Sequence, residues 1–151
     1  MKTARILIAI SVLGSLAACT TKNTGTEAPT SGGQGVAVVG GPAERTVYFD
    51  YDKSDVKETG KGVVSAHVRF LKSGDKQRVR LEGHCDERGS PEYNIGLGER
   101  RSQTVRRLMT YQGVADRQLE TVSYGEERPA VEGRDEGAWA KNRRVEIVYI
   151  N

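Results

Sequence analysis

The chain is poor in cysteine, with only Cys19 and Cys85, so no disulfide framework can carry the fold and a hydrophobic core must. It also has no apolar run long enough to span a bilayer. The stretch Ile6 to Leu16 falls well short of the roughly 20 residues a membrane helix needs. A concentrated basic excess is missing too. Of the 23 basic residues, Lys2 and Arg5 lie in the first eighteen positions; without those positions 21 bases face 20 acids. That balance argues against a nucleic-acid binder. No internal repeat is present.

What the sequence does contain divides into three parts. Lys2 and Arg5 precede the apolar run, which ends in small residues before Cys19: a charged region, an apolar region and a cleavage signal in the order of an export peptide. Residues 1–18 are read as that peptide. Leu16-Ala17-Ala18-Cys19 resembles a bacterial lipobox, in which the cysteine becomes the lipid-modified first residue, so residues 19–44 form a lipidated N-terminus and tether. From Thr20 to Glu44 the chain is mostly Thr, Gly, Ser, Ala and Pro, too little apolar surface to offset the entropy of ordering. As a flexible coil this segment reaches about 25–30 Å. Residues 45–151 are the folded domain.

Within the domain, Thr46 to Tyr51 is β-branched and aromatic and reads as a strand. Asp52 to Asp55 offers turn and capping chemistry for a helix through Lys72, with Val56, Val63, Val64, Phe70 and Leu71 near helical spacing. His67 sits among these apolar positions and reads as a core histidine. Gln77 to His84 alternates as a half-buried strand. Ser90-Pro91 opens a second helix that runs to Gln112 and ends at Gly113. Gln118 to Tyr124 is a third strand, Asp135 to Lys141 a short helical turn, and Arg144 to Ile150 a final strand. The order β-α-β-α-β-β predicts a two-layer α+β domain: a mixed four-stranded sheet with its helices on one face.

One residue breaks the pattern. On the second helix Leu97, Val105, Leu108 and Gln112 mark an apolar stripe, and Arg101 falls on it, with Asn94 one turn before Leu97. A buried guanidinium needs a partner, and Asp86, at the mouth of the preceding strand, is the nearest acid. Asp52 reaches the same edge if the first two strands are neighbours. Two readings follow. Either Asp86 and Arg101 form an internal salt bridge, or an anion and a cation beside a helix N-terminus form a receptor for an amino-acid head group. His84-Cys85-Asp86 does not make a hydrolase, because neighbouring strand residues point to opposite faces. His84 and Asp86 lack a third metal ligand at suitable spacing.

The motifs VYFDYDK at Val47 to Lys53, GHCDERGSPEYN at Gly83 to Asn94, LGERR at Leu97 to Arg101, VSYGEERP at Val122 to Pro129 and NRRVE at Asn142 to Glu146 resemble the OmpA-like peptidoglycan-binding domain family, and within it the peptidoglycan-associated lipoproteins. The resemblance covers the whole folded part. It implies a non-enzymatic domain that binds the diaminopimelate residue of the wall's peptide stem, with Asp86 meeting the ammonium and Arg101 the carboxylate. By the same matching Asp52, Asn94, Leu97 and Arg143 line the pocket. It also implies partnership with TolB and other Tol proteins, a role in envelope integrity and cell division, and no cofactor beyond a covalent lipid on Cys19. Thr20 after Cys19, in place of an aspartate, favours an outer-membrane address with the domain facing the periplasm. The rival expectation is a periplasmic protein-interaction module whose Asp86–Arg101 pair is only structural. Cys85, Gly96 and Ser102 depart from the family's usual residues, and Gly96 and Gly98 are expected to loosen the second helix by about 1 kcal/mol each.

Overall fold

Four strands and three helices follow one another in the computed structural model, which describes residues 41–74 and 76–150. They are β1 (Thr46–Tyr48), α1 (Glu58–Lys72), β2 (Arg78–His84), α2 (Pro91–Tyr111), β3 (Leu119–Gly125), α3 (Glu136–Asn142) and β4 (Arg144–Ile150), with a 3-10 turn at Asp116–Gln118 before β3. The export peptide, Cys19 and nearly all of the tether lie outside the described residues. The tether's last residue, Glu44, is held on the domain, its carbonyl accepting a hydrogen bond from His67 Nε2 at 2.8 Å.

The sheet order is β1-β4-β2-β3. β2 and β3 pair in parallel, and β4 runs antiparallel to both β2 and β1. The sheet is therefore mixed, as expected, but β1 and β2 are not neighbours. They run in the same direction with β4 inserted between them, so their ends reach the same edge of the sheet across an intervening strand.

On one face of the sheet Val47, Val79, Leu81, Val145 and Ile147 pack against Val64, Val68 and Leu71 of α1 and Val105 and Met109 of α2. Each fully buried aliphatic side chain contributes about 1.5–3 kcal/mol. His67 joins this layer fully buried. Because the Glu44 carbonyl can only accept, Nε2 of His67 carries the proton, and Nδ1 accepts from the Tyr149 hydroxyl at 2.7 Å. Gln118 is also buried, and its amide donates to the carbonyl of Leu71 in the last turn of α1 and to those of Gly74 and Gln77 in the loop that follows.

Two boundaries differ from the sequence pattern. β1 stops at Tyr48 and α1 starts only at Glu58, with Lys57 as an N-cap that makes no side-chain bond. The residues between form a turn closed by Lys53 N donating to the Asp50 carbonyl at 3.2 Å, with Asp52 at φ +53°. The carbonyls of Asp50 and Lys53 then accept from Arg101, so this turn is tied to a tertiary partner. The buried stripe of α2 also runs differently: Met109 and Ser102 are buried with Leu97, Arg101 and Val105, while Leu108 is only half-buried.

Candidate functional site

The site is built at the carboxyl end of β2. Cys85 N donates to the Gly125 carbonyl at 2.7 Å, which fixes the chain as it leaves the strand. Asp86 Oδ1 then accepts from Arg88 N at 3.1 Å, folding the turn back on itself. Gly89 follows at φ +116°, a conformation that L side chains rarely adopt. Ser90 caps α2 by accepting from Tyr93 N at 3.2 Å, and Pro91 stands in the first turn. Asn94 on that first turn sends its amide back to the carbonyls of Asp86 and Arg88, each at 3.2 Å, and to Glu126 Oε2 at 2.5 Å. Turn, helix start and the loop after β3 are thereby fastened together.

All six residues singled out from the sequence, Asp52, Asp86, Asn94, Leu97, Arg101 and Arg143, line one cavity of about 240 Å³. Of the two readings of the acid and the arginine, the internal ion pair is not formed. Asp86 and Arg101 form no salt bridge. Asp86 takes a bidentate bond from Arg88 (Nε to Oδ1 at 3.2 Å, Nη2 to Oδ2 at 2.7 Å) and a bond from Arg143 Nη1 to Oδ2 at 3.2 Å. Burial alone raises the carboxyl pKa, but the hydrogen bonds from Arg88 and Arg143 outweigh it, so the group sits below the usual carboxylate range.

Arg101 is fully buried, and all its partners are neutral. Nε donates to the Lys53 carbonyl at 2.8 Å, Nη1 to the His84 carbonyl at 2.8 Å and to Cys85 Sγ at 3.3 Å, and Nη2 to the Asp50 carbonyl at 3.1 Å. A guanidinium carries five N–H groups, so one on Nη2 remains, together with the whole positive charge. Burial pulls this pKa down, with Arg143 adding to the effect and the carboxylates of Asp86 and Asp52 opposing it. The Phe49 ring lies 5.2 Å from the guanidinium carbon.

The other members have distinct roles. Asp52 is exposed at the lip and accepts a hydrogen bond from the Tyr93 hydroxyl. It lines the cavity although β1 and β2 are not adjacent, and Arg143, just before β4, joins the end of β1 to the turn after β2. Arg143 donates from Nε to the Phe49 carbonyl at 3.2 Å and from Nη2 to Glu136 Oε1 at 2.5 Å, besides its bond to Asp86. Leu97 supplies a buried apolar surface.

The sequence model of the OmpA family matches residues 48–143. The chain belongs to the OmpA family. Within it the chain falls among the peptidoglycan-associated lipoproteins: it is 43% identical over 148 residues to the peptidoglycan-associated lipoprotein of Haemophilus influenzae, covering 95% of each chain. Against that of Pseudomonas aeruginosa it is 55% identical over 102 residues, 68% of this chain and 60% of the relative's length. The crystal structure of the peptidoglycan-associated lipoprotein from Burkholderia pseudomallei superposes with a TM-score of 0.70 at 42% identity, covering 72% of this chain and 92% of that one.

In this OmpA-family domain the sequence reading passed over Arg88. Its guanidinium carbon lies 4.0 Å from the centre of the Tyr51 ring and 4.1 Å from that of Trp139, a cation held between two aromatic faces. The one available signal was a lone tryptophan in a short polar helix. Cys85 is also at the cavity wall, its thiol donating to the Asn94 carbonyl at 3.3 Å.

His84 and Asp86 have separate surroundings, in part because the register shifts between Gly83 and His84. His84 packs on Tyr124, with ring centroids 5.5 Å apart. It groups with Glu82 and Glu146, one ligand-type atom from each lying within 4.8 Å of the others. This trio leaves Asp86 out, so the His84–Asp86 pair itself gains no third ligand. Glu82 is already engaged by Arg80 at 2.7 Å and Glu146 by Arg144 at 2.6 Å, so their charges are compensated in place. Among the described residues no helix is long and apolar enough to cross a membrane.

Proposed function

We propose that the domain binds peptidoglycan non-covalently through the diaminopimelate residue of its peptide stem, and that a lipid on Cys19 anchors the other end in the outer membrane, so that the protein tethers membrane to wall. The observation that carries the reading is Arg101: a buried guanidinium whose partners are all neutral, with one N–H and its full charge unmatched, in a cavity that also holds an acid. Burying an uncompensated cation is costly, and an incoming carboxylate would compensate it. The same ligand carries an ammonium, which the carboxylate of Asp86 would receive. Asp52 and Tyr93 border the mouth, and Leu97 would lie against the ligand's methylene chain. The relatives' own name, peptidoglycan-associated lipoprotein, supports this reading.

The partners that go with this function are TolB and other Tol proteins, and the process is maintenance of the envelope and its constriction at division. The domain works by holding, with no bond made or broken and no cofactor.

The second reading, a protein-interaction module with a purely structural charge cluster, draws on one observation: Asp86 already has two arginine partners. Sedimentation with insoluble wall material separates the two. The wall-binding reading expects the wild type to be retained, folded Asp86→Asn to be released, and free diaminopimelate to compete. Equal retention of Asp86→Asn, or no competition by the free amino acid, would remove the proposed site.

A further inference from the structure

Both charged halves of the cavity are covered. Asp86 is 4% exposed and Arg101 is 0% exposed, so a ligand head group of ordinary size cannot touch either without some lining group moving. For Asp86 the hydrogen bonds identify that group. A carboxylate offers about four lone-pair sites, and those of Asp86 are taken by Arg88 N and Nε on Oδ1 and by Arg88 Nη2 and Arg143 Nη1 on Oδ2. Arg88 holds three of the four bonds, two of them through its side chain. An ammonium that binds Asp86 must take the place of one of the guanidinium groups.

The two arginines are not equally free to leave. Arg143 is 6% exposed in its side chain and is tied to the Phe49 carbonyl behind it and to Glu136. Arg88 is 29% exposed, and its backbone is followed by Gly89, which can take up a change of chain direction. Glu136 stands 3.8 Å from its Nη2, ready to receive the released cation.

We infer that Arg88 is a displaceable internal competitor: its guanidinium occupies the ammonium position on Asp86, and ligand binding is an exchange in which that guanidinium swings out and the ligand's ammonium takes its bonds. The inference rests on the diaminopimelate reading above. It makes Arg88 a determinant of affinity and specificity, because only a cation able to replace a bidentate guanidinium opens the site. A peptide-stem residue lacking a side-chain ammonium leaves the gate shut.

The chain carries its own reporter. Trp139 is the single tryptophan; Arg88 lies over its ring, and it does not line the cavity. Departure of Arg88 alters its emission without the ligand touching it. The experiment titrates free diaminopimelate into the full chain, following heat and tryptophan fluorescence together, in the wild type, Arg88→Ala and Arg88→Gln, with circular dichroism confirming that each is folded. The expected result is an emission change in the wild type that tracks the binding heat. In both variants Kd should be roughly tenfold lower, as for one charge-assisted bond no longer broken, with emission unaffected by ligand. Binding by the wild type with constant emission overturns the gate and leaves the pocket standing. So does equal or weaker binding by the variants. Failure of the wild type and both variants to bind either the free amino acid or wall material overturns the diaminopimelate reading, and the gate with it.

Discussion

Gly83 on β2 and Gly98 on α2 meet backbone to backbone: a Cβ placed on Gly83 would fall 2.0 Å from the Gly98 carbonyl oxygen. One placed on Gly98 would meet Ser123 Oγ at 2.3 Å and the Gly83 carbonyl oxygen at 3.0 Å. This contact sets the helix down on the strand where Leu97 and Arg101 must reach the turn that carries Asp86.

Gly98 is thus an approach site, and the helix-loosening expected of it is offset by the packing it permits. Gly83→Ala should cost about 3 kcal/mol or more, since backbone would have to shift, and Gly98→Ala should also destabilise. Gly96, whose nearest obstacle is the flexible end of Arg100 at 3.4 Å, should behave oppositely: Gly96→Ala gains about 0.5–1 kcal/mol. Urea midpoints at constant m-value measure all three.

Arg101 has a structural duty apart from any ligand. It satisfies the carbonyls of Asp50, Lys53 and His84, and Arg101→Met would leave all three without that donor. A loss of about 1–3 kcal/mol for each carbonyl left unpaired is expected, partly offset because a costly buried charge is removed with the side chain. The turn after β1 should then lose amide protection in hydrogen exchange before the rest of the domain does.

His84 should make the domain sensitive to mild acid. Burial, reinforced by Arg144 and only partly opposed by Glu146 and the Arg128 backbone, pushes its pKa from 6.5 down to about 4. A group depressed on folding binds more protons when unfolded, so its contribution to stability is whole above pH 6.5 and is lost as the pH falls towards 4. Asp86, also depressed, loses its contribution lower still, at and below the ordinary carboxylate range. Urea unfolding at several pH values between neutrality and pH 4 should show the decline in the wild type. A folded His84→Gln variant should show a shallower one, and parallel curves would exclude His84 as the cause.

Cys85 should be inert while the domain is folded. Burial raises its thiol pKa to about 11, against the opposing pull of Arg101, so only about one thiol in a thousand is ionised at pH 8. Alkylation by iodoacetamide, followed at Cys85 by mass spectrometry of its peptide, should be far slower than in a free peptide and should accelerate with unfolding.

Much of the architecture was legible in the sequence because periodicity and capping are local. Ser90-Pro91, the alternation of Gln77 to His84 and that of Arg144 to Ile150 each marked an element within a residue or so of its place. Strand order was not legible, since the position of β4 between β1 and β2 depends on contacts far apart in the chain. What holds the turn before α1 was hidden for the same reason: its Asp50 and Lys53 carbonyls are bound by Arg101 from the distant α2. In the site the anomalous residues were visible, Arg101 on an apolar stripe above all. Which charge pairs with which was not, because Arg88 and Arg143 compete for Asp86 through geometry that no spacing rule encodes.

The sheet order also fixes a timetable. β4 is synthesised last among the described elements, yet it forms every pairing that joins β1 to the rest of the sheet. Until it arrives, the first strand has no neighbour to bond, and Arg143, which leads it in, is not yet there to join the Phe49 carbonyl to Asp86. A growing chain therefore stays open until its final strand is made, and the binding cavity closes in the same step as the sheet.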